Sequence, residues 1–257
     1  MTTKPLALVT GANQGIGLGI VEELRDDGYD VILTSRNEAE GRAEAKRLGV
    51  EYLRLDVTSA ADIAAVAESV RASNRKLDVL VNNAGISMDG FTDHVVKTTL
   101  GINFFGALAV TEGLLPIIAD GGAITFVSSG MGELHVYSPQ IRARFTDPKL
   151  TRDKLVALVD EFIAGVHAGT HERMGWPSSA YRVSKAALVA LAHVLARDLA
   201  PRHIKVTAAC PGWVRTRMGG RSAPRSVEQG AHSVVWAVTA KEAKTGGFYR
   251  DERVANW

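Results

Sequence analysis

Residues 6–17 read LALVTGANQGIG: four apolar residues, then a turn whose glycines fall at positions 11, 15 and 17. The next segment, IGLGIVEELRDDG, carries its apolar residues at helical spacing, so the chain opens as strand, glycine-rich turn and helix. In a doubly wound α/β sheet this first turn lies beyond the carboxyl end of a strand, where phosphate groups sit on the free N–H groups of the helix. The spacing G-x-x-x-G-x-G departs from the dinucleotide fingerprint G-x-G-x-x-G. Three glycines also suit a tight turn and close helix packing with no ligand, so other residues have to decide the matter.

Outward from this unit the pattern repeats. Short β-branched runs at 6–10, 30–34, 52–55, 78–82, 123–128 and 204–210 alternate with helical periods such as ADIAAVAESVRAS. Strands apolar on both faces need helices on both sides, which selects an open, doubly wound (Rossmann) parallel sheet. With 257 residues and 46% hydrophobic content the chain suits a single α/β domain over 1–257. Thirty basic and 28 acidic side chains leave a dispersed charge of +2, which argues against nucleic acid as a partner. The longest apolar runs are broken by charge or glycine short of a membrane span, and MTTKP leads straight into LALV, so neither leader nor membrane helix is expected. One cysteine, Cys210, excludes an internal disulfide and fits a cytoplasmic location.

Tyr181 and Lys185 stand four apart in SSAYRVSKAAL, which puts them on one helix face. A free phenol has a pKa of about 10, so phenolate at pH 7 costs roughly 4 kcal/mol, and a nearby cation recovers part of that. Such a pair is a proton-transfer couple, although the spacing is also common on solvated helices. At the end of the second strand, where an NAD binder presents an acid to the ribose 2'-hydroxyl, this chain has Arg36, 19 residues beyond Gly17. A guanidinium binds phosphate oxygens in bidentate fashion, so NADPH/NADP+ is the expected cofactor. Gln14 adds no second positive charge, which softens that preference.

TGANQGIG, Asp56 in LDV, NNAG at 82–85, Asn103 in INFFG, Ser129 in VSS, Tyr181 to Lys185 and CPGWVRT at 210–216 occur in the order found in the short-chain dehydrogenase/reductase family. The chain resembles that family over its whole length, and most of all the monomeric NADPH-dependent carbonyl reductases, through NFFG, GWPSSAY, CPGWVRT and GGFYRDERVANW. The resemblance implies that Tyr181 gives a proton to the substrate oxygen, that Lys185 lowers the phenol pKa and bonds the nicotinamide ribose, that Ser129 holds the substrate oxygen, and that Asn103 positions a water beside Lys185. It implies cofactor contacts from Gly11, Asn13, Gln14, Gly15, Ile16, Gly17, Arg36, Asp56, Val57, Asn83, Ala84, Gly85, Pro211, Gly212, Val214 and Thr216. Substrate contacts fall to Ser129, Trp213 and Met218, with walls from 86–95, 130–145, 176 and 213–225. The expected activity is reduction of small aldehydes, ketones or quinones. An alcohol dehydrogenase running oxidatively and a non-catalytic NADP-binding redox sensor are the alternatives.

Ser129 and Tyr181 lie 52 positions apart, more than in shorter members of the family, and the insertion, about 132–176, carries apolar residues at 155, 158, 159, 162, 163 and 166. Their spacing predicts an amphipathic helix. In the monomeric carbonyl reductases a similar insert covers the face through which relatives dimerise, so the resemblance implies a monomer. His167 and His171 have metal-compatible spacing, but Gly169 intervenes and no HExxH is present, so no metal is expected. Arg215, Arg217, Arg221 and Arg225 read as solvated or cofactor-facing side chains, and Cys210 as a small buried hydrophobe.

Overall fold

A computed structural model describes residues 4–257. Residues 1–3, on which the expectation of a leaderless amino terminus partly rests, lie outside the described part. Strand β1 (Leu6–Val9) enters the glycine turn and helix α1 (Gly15–Asp26), followed by β2 (Asp30–Ser35), α2 (Glu38–Leu48), β3 (Glu51–Arg54), α3 (Ala60–Ala72) and β4 (Leu77–Asn82). Then come α4 (Asp93–Leu100), a π-helical turn (Gly101–Gly106), α5 (Ala107–Leu114), β5 (Ile118–Val127), α6 (Pro139–Phe145), α7 (Arg152–His167) and α8 (Ala180–Asp198). β6 (Lys205–Ala209), α9 (Val227–Thr239), β7 (Phe248–Arg250) and β8 (Arg253–Val254) complete the order.

The sheet runs β3-β2-β1-β4-β5-β6-β7-β8, parallel throughout except for the last pair. Chain order reverses between β1 and β4, and a crevice beyond the carboxyl ends of the strands opens at that switch point. The runs read from the sequence are all strands. β5 begins at Ile118, earlier than its apolar run, because the β4 register shifts between Leu77 and Val79 to admit Gly121 and Gly122. β7 and β8 were not expected, being three and two residues long and too short to show a period. They are joined through Asp251 and Glu252 at φ 52° and 62°, the paired left-handed residues of a tight hairpin turn.

Two apolar layers sandwich the sheet. On one face Ile20, Val21 and Leu24 of α1 meet Val234, Val235 and Val238 of α9. On the other, α3, α5, α7 and α8 bury Val66, Leu114, Phe162 and Leu191. The stripe expected on α7 is covered: Leu155, Leu158, Val159 and Phe162 are buried, and Ile163 and Val166 pack at its edge against the same core. Its neighbours are α8 and α4.

One expectation needs correcting. Asp93–Ile117 forms a continuous helical rod long and apolar enough, by length and composition, to cross a membrane. Gly101 and Gly106 do not interrupt it, because the helix widens into a π turn there. Here the apolar character serves the interior: Val96, Leu100, Phe104, Leu108 and Leu114 are all core residues.

Candidate active site

The floor of the crevice is stitched from the first glycine turn and the end of β4. The Thr10 hydroxyl accepts from the N–H groups of Asn83 and Ala84 at 3.0 and 2.9 Å, and the Asn83 amide donates to the carbonyls of Thr10 and Gly11 at 2.8 and 3.1 Å. A Cβ on Gly11 would meet Ala84 Cα at 2.8 Å, and one on Gly17 would collide with Asn83 Nδ2. These two glycines are thus required by packing between the loops. Gly15 differs. Its φ is +58°, and a Cβ there would reach Thr216 Cγ2 at 3.3 Å, where the loop after β6 folds over the start of α1.

Helices α2, α3, α4, α6, α7, α8 and α9 all begin with a side-chain cap, from Asn37, Ser59, Thr92, Ser138, Thr151, Ser179 and Ser226. Helix α1, facing the crevice, has none, and no acid lies in its first turn. Its first N–H groups are therefore free for an anion. Gly11, Asn13, Gln14, Gly15, Ile16, Gly17, Arg36, Asp56, Val57, Asn83, Ala84, Gly85, Tyr181, Lys185, Pro211, Thr216 and Met218 line a single cleft. It begins beside β2, at Arg36, and ends beyond β5. Three strand spacings of about 4.8 Å separate those places, about 14 Å, which matches an extended two-ended ligand such as a dinucleotide. An uncapped helix end, a guanidinium at one extremity and small residues along the floor fit such a cofactor.

At the other extremity the first turns of α8 carry the proton-transfer pair. Lys185 is buried, donates from Nζ to the Val127 carbonyl at 2.7 Å and stands 5.5 Å from the centroid of the Tyr181 ring. Burial pushes its pKa down to about 8. Burial also pushes the Tyr181 phenol up to about 12, with the Ser129 hydroxyl pulling the other way. Lys185 was expected to depress the phenol. Desolvation is the largest influence instead, and the ammonium, given to a backbone carbonyl, sits over the ring.

Asn103, fully buried, occupies the π turn. Its Oδ1 accepts from the Ile86 N–H at 2.8 Å, and its Nδ2 donates to the Ile86 carbonyl and to Ser184 Oγ at 2.9 and 3.1 Å. The wide turn frees backbone geometry that an α-turn would fix and lets this amide dock on the backbone beyond β4. A Cβ on Gly85 would lie 3.3 Å from Asn103 Oδ1 and 3.6 Å from Lys185 Nζ, so the backbone here packs closely against both polar groups.

Several expected residues stand outside the cleft lining. Asn103 lies behind it and Ser129 beside Tyr181. Gly212, at φ +78°, makes way for Arg225, whose Cδ would collide with a Cβ there. Val214 is buried, and its side chain faces Gly230 on α9. Trp213 is 57% exposed and donates to the Gly219 carbonyl at 2.9 Å. Leu55, Ile102, Val127 and Ser128 line the cleft without having been assigned to it, each within two positions of an assigned residue, and Ile86 and Arg217 come from the expected walls. Met131 falls within the expected wall at 130–145. With Trp213 and Met218 it is one of only four large hydrophobics exposed among the described residues. Cys210 is buried as expected, but its Sγ accepts from the N–H groups of Gly130 and Gly212 at 3.1 and 3.4 Å, pinning the Ser129 loop to the turn after β6.

The basic stretch and the histidines have separate explanations. Arg225 grips Asp251 at 2.5 and 2.8 Å, and Arg215 donates to the carbonyls of Ala223 and Pro224. His167 lies 3.4 Å from Asp93, while His171 bonds Ser178 and stacks near Phe91.

Residues 5–140 match the short chain dehydrogenase family, and residues 163–245 match a family described as enoyl-(acyl carrier protein) reductase. Carbonyl reductase (NADPH) 1 of Rattus norvegicus is 38% identical over 99% of this chain and 99% of its own. Among solved structures, salutaridine reductase from Papaver somniferum superposes with a TM-score of 0.89 at 29% identity, covering 96% of this chain and all of that one. NADPH-bound carbonyl reductase from chicken fatty liver does so with a TM-score of 0.75 at 25% identity, over 100% and 96%. This chain therefore belongs to the short-chain dehydrogenase/reductase family and is a carbonyl-reductase-like oxidoreductase of carbonyl and hydroxyl groups.

Proposed function

We propose that the protein is an NADPH-dependent reductase of small aldehydes, ketones or quinones, with Tyr181 as the acid. The observation that supports it best is one continuous cleft with Arg36 at one extremity and Tyr181 and Lys185 at the other. The names of the curated relatives point the same way. Arg36 would hold a 2'-phosphate and the uncapped start of α1 the pyrophosphate, with Gly85, Pro211 and Thr216 around the nicotinamide. A nicotinamide bound there supplies hydride to the carbonyl carbon. Ser129 donates to the substrate oxygen as charge grows on it, and Tyr181 Oη gives that oxygen its proton. The phenolate left behind is stabilised by Lys185 and reprotonated by way of Lys185, with Asn103 beside it. Met131, Trp213 and Met218 form an apolar rim for the body of the substrate.

The names of the curated relatives favour the reductive reading over an oxidative one. A redox sensor without turnover has no use for Ser129, Tyr181, Lys185 and Asn103 together. Helix α7 packs on α8 within the same chain, which supports a monomer, and a lone buried cysteine fits a cytoplasmic location.

The test is the fall of NADPH absorbance with a panel of aromatic aldehydes, diketones and quinones. Turnover of at least one class is expected, and a folded protein that binds NADPH but turns over no carbonyl would favour the sensor. The pH profile has a stated sign. Tyr181 keeps its proton across the working range, while Lys185 loses its charge as pH rises through about 8. At saturating NADPH the rate of reduction should be level below that point and fall about tenfold per pH unit above it. A level rate up to about pH 10 would remove the Lys185 charge from the step.

A further inference from the structure

We propose that Glu40 is a specificity-determining residue that restrains the preference for the 2'-phosphorylated cofactor, so that the protein binds NADH and NADPH with comparable affinity. The inference rests on the reading of the cleft as an NADPH site. Asn13 and Arg36 both line the cleft at its β2 end. The Asn13 amide, the neutral donor that a phosphate there would draw on, is already given to Glu40, Nδ2 to Oε2 at 2.6 Å. Glu40 is held in place by the start of its own helix: the Asn37 side chain caps α2 by accepting from the Glu40 N–H at 3.3 Å. Its carboxylate is thereby brought to the glycine turn.

A second acid is close by. Asp56, also on the cleft, is near enough to Arg36 for the guanidinium to help hold its carboxyl below the usual range, after the two hydrogen bonds from Thr58. The corner thus sets the Glu40 and Asp56 carboxylates against Arg36, Arg54 being already paired with Asp62, and Gln14 adds no charge. A phosphate carrying close to two negative charges gains its bond to Arg36 but has to share the Asn13 amide with Glu40 and lie beside its carboxylate. A ribose 2'-hydroxyl meets the opposite situation. It is a donor, and a carboxylate at the first turn of the helix after β2 is an acceptor suited to it. Glu40 therefore favours the unphosphorylated ribose while Arg36 favours the phosphorylated one.

The experiment is isothermal titration of the full chain and of Glu40→Gln with NADPH, NADH, 2',5'-ADP and 5'-AMP, a measurement independent of turnover. The wild type is expected to bind NADPH less than about tenfold more tightly than NADH. Glu40→Gln is expected to tighten NADPH and 2',5'-ADP by about tenfold, with NADH and 5'-AMP unchanged or weakened about twofold, and the gain should shrink at high salt. Equal changes for the phosphorylated and unphosphorylated ligands, or a wild type that prefers NADPH by more than about a hundredfold, would overturn the role of Glu40 alone. A folded wild type that binds neither dinucleotide would overturn the cofactor reading and this inference together. Glu40→Ala repeats the test without any amide at that position. Loss of the effect there would assign the gain to a new contact made by the introduced carboxamide, and would overturn the proposal.

Discussion

Tyr181→Phe is expected to lower kcat for carbonyl reduction by about a thousandfold while leaving NADPH binding within about twofold. The substitution removes one oxygen and keeps the ring. The contact of the ring with the Lys185 ammonium, 5.5 Å from its centroid, survives, as does the Lys185 bond to Val127, so the cleft keeps its shape. Only the proton is lost. Water replaces it poorly, because it is neither held in place nor matched in acidity to the step, beside a part-buried Tyr181 and a buried Lys185. Turnover of a diketone, paired with a titration of dinucleotide binding, separates the two effects. A kcat within about tenfold of wild type would show that another group supplies the proton, and a parallel loss of NADPH binding would show a structural role.

Arg36→Met is expected to weaken NADPH binding between about tenfold and a hundredfold and to leave NADH within about threefold, so that NADH becomes the better ligand. Charge-assisted hydrogen bonds to phosphate are roughly twice as strong as neutral ones, and here the loss also leaves Asp56 and Glu40 without a cation between them and the ligand. Arg36 is exposed, and no side-chain hydrogen bond to the described residues ties it to the fold, so its removal should not unfold the chain. Competition by 2',5'-ADP measures the same bond without the nicotinamide half. Equal weakening of both dinucleotides would remove Arg36 from 2'-phosphate recognition.

The parallel core was legible because its strands are buried on both faces and read as apolar runs. The site was legible where one motif carries a whole function: the uncapped start of α1, Arg36 after β2, and the Tyr181–Lys185 face of α8. What escaped depends on residues distant in sequence or on elements too short for a period. The bond from Asn13 to Glu40 joins a loop to a helix 27 positions away, and the thiol that ties Gly130 to Gly212 looks in sequence like any small apolar residue. The π turn has no signature of its own in GINFFG, so Asn103 was named without the geometry that seats it. Gly11 and Gly17 fit a phosphate motif, yet the structure uses both for loop packing. The direction of the Tyr181 shift was hidden for a related reason: spacing reveals that a cation is near, and only burial reveals what it is worth.

The two left-handed residues at the β7–β8 turn are held from outside it. Asp251 clasps Arg225, and Glu252 bonds His232, itself bonded to Glu23 on α1. Arg225 also pairs backbone to backbone with Trp213 and Arg215, closing the base of the loop that carries the Trp213 and Met218 side chains. Shortening the polypeptide ahead of position 251, or fusing a bulky tag against this corner, would unbuckle that loop and register as a poorer KM for carbonyl compounds while the sheet stayed intact.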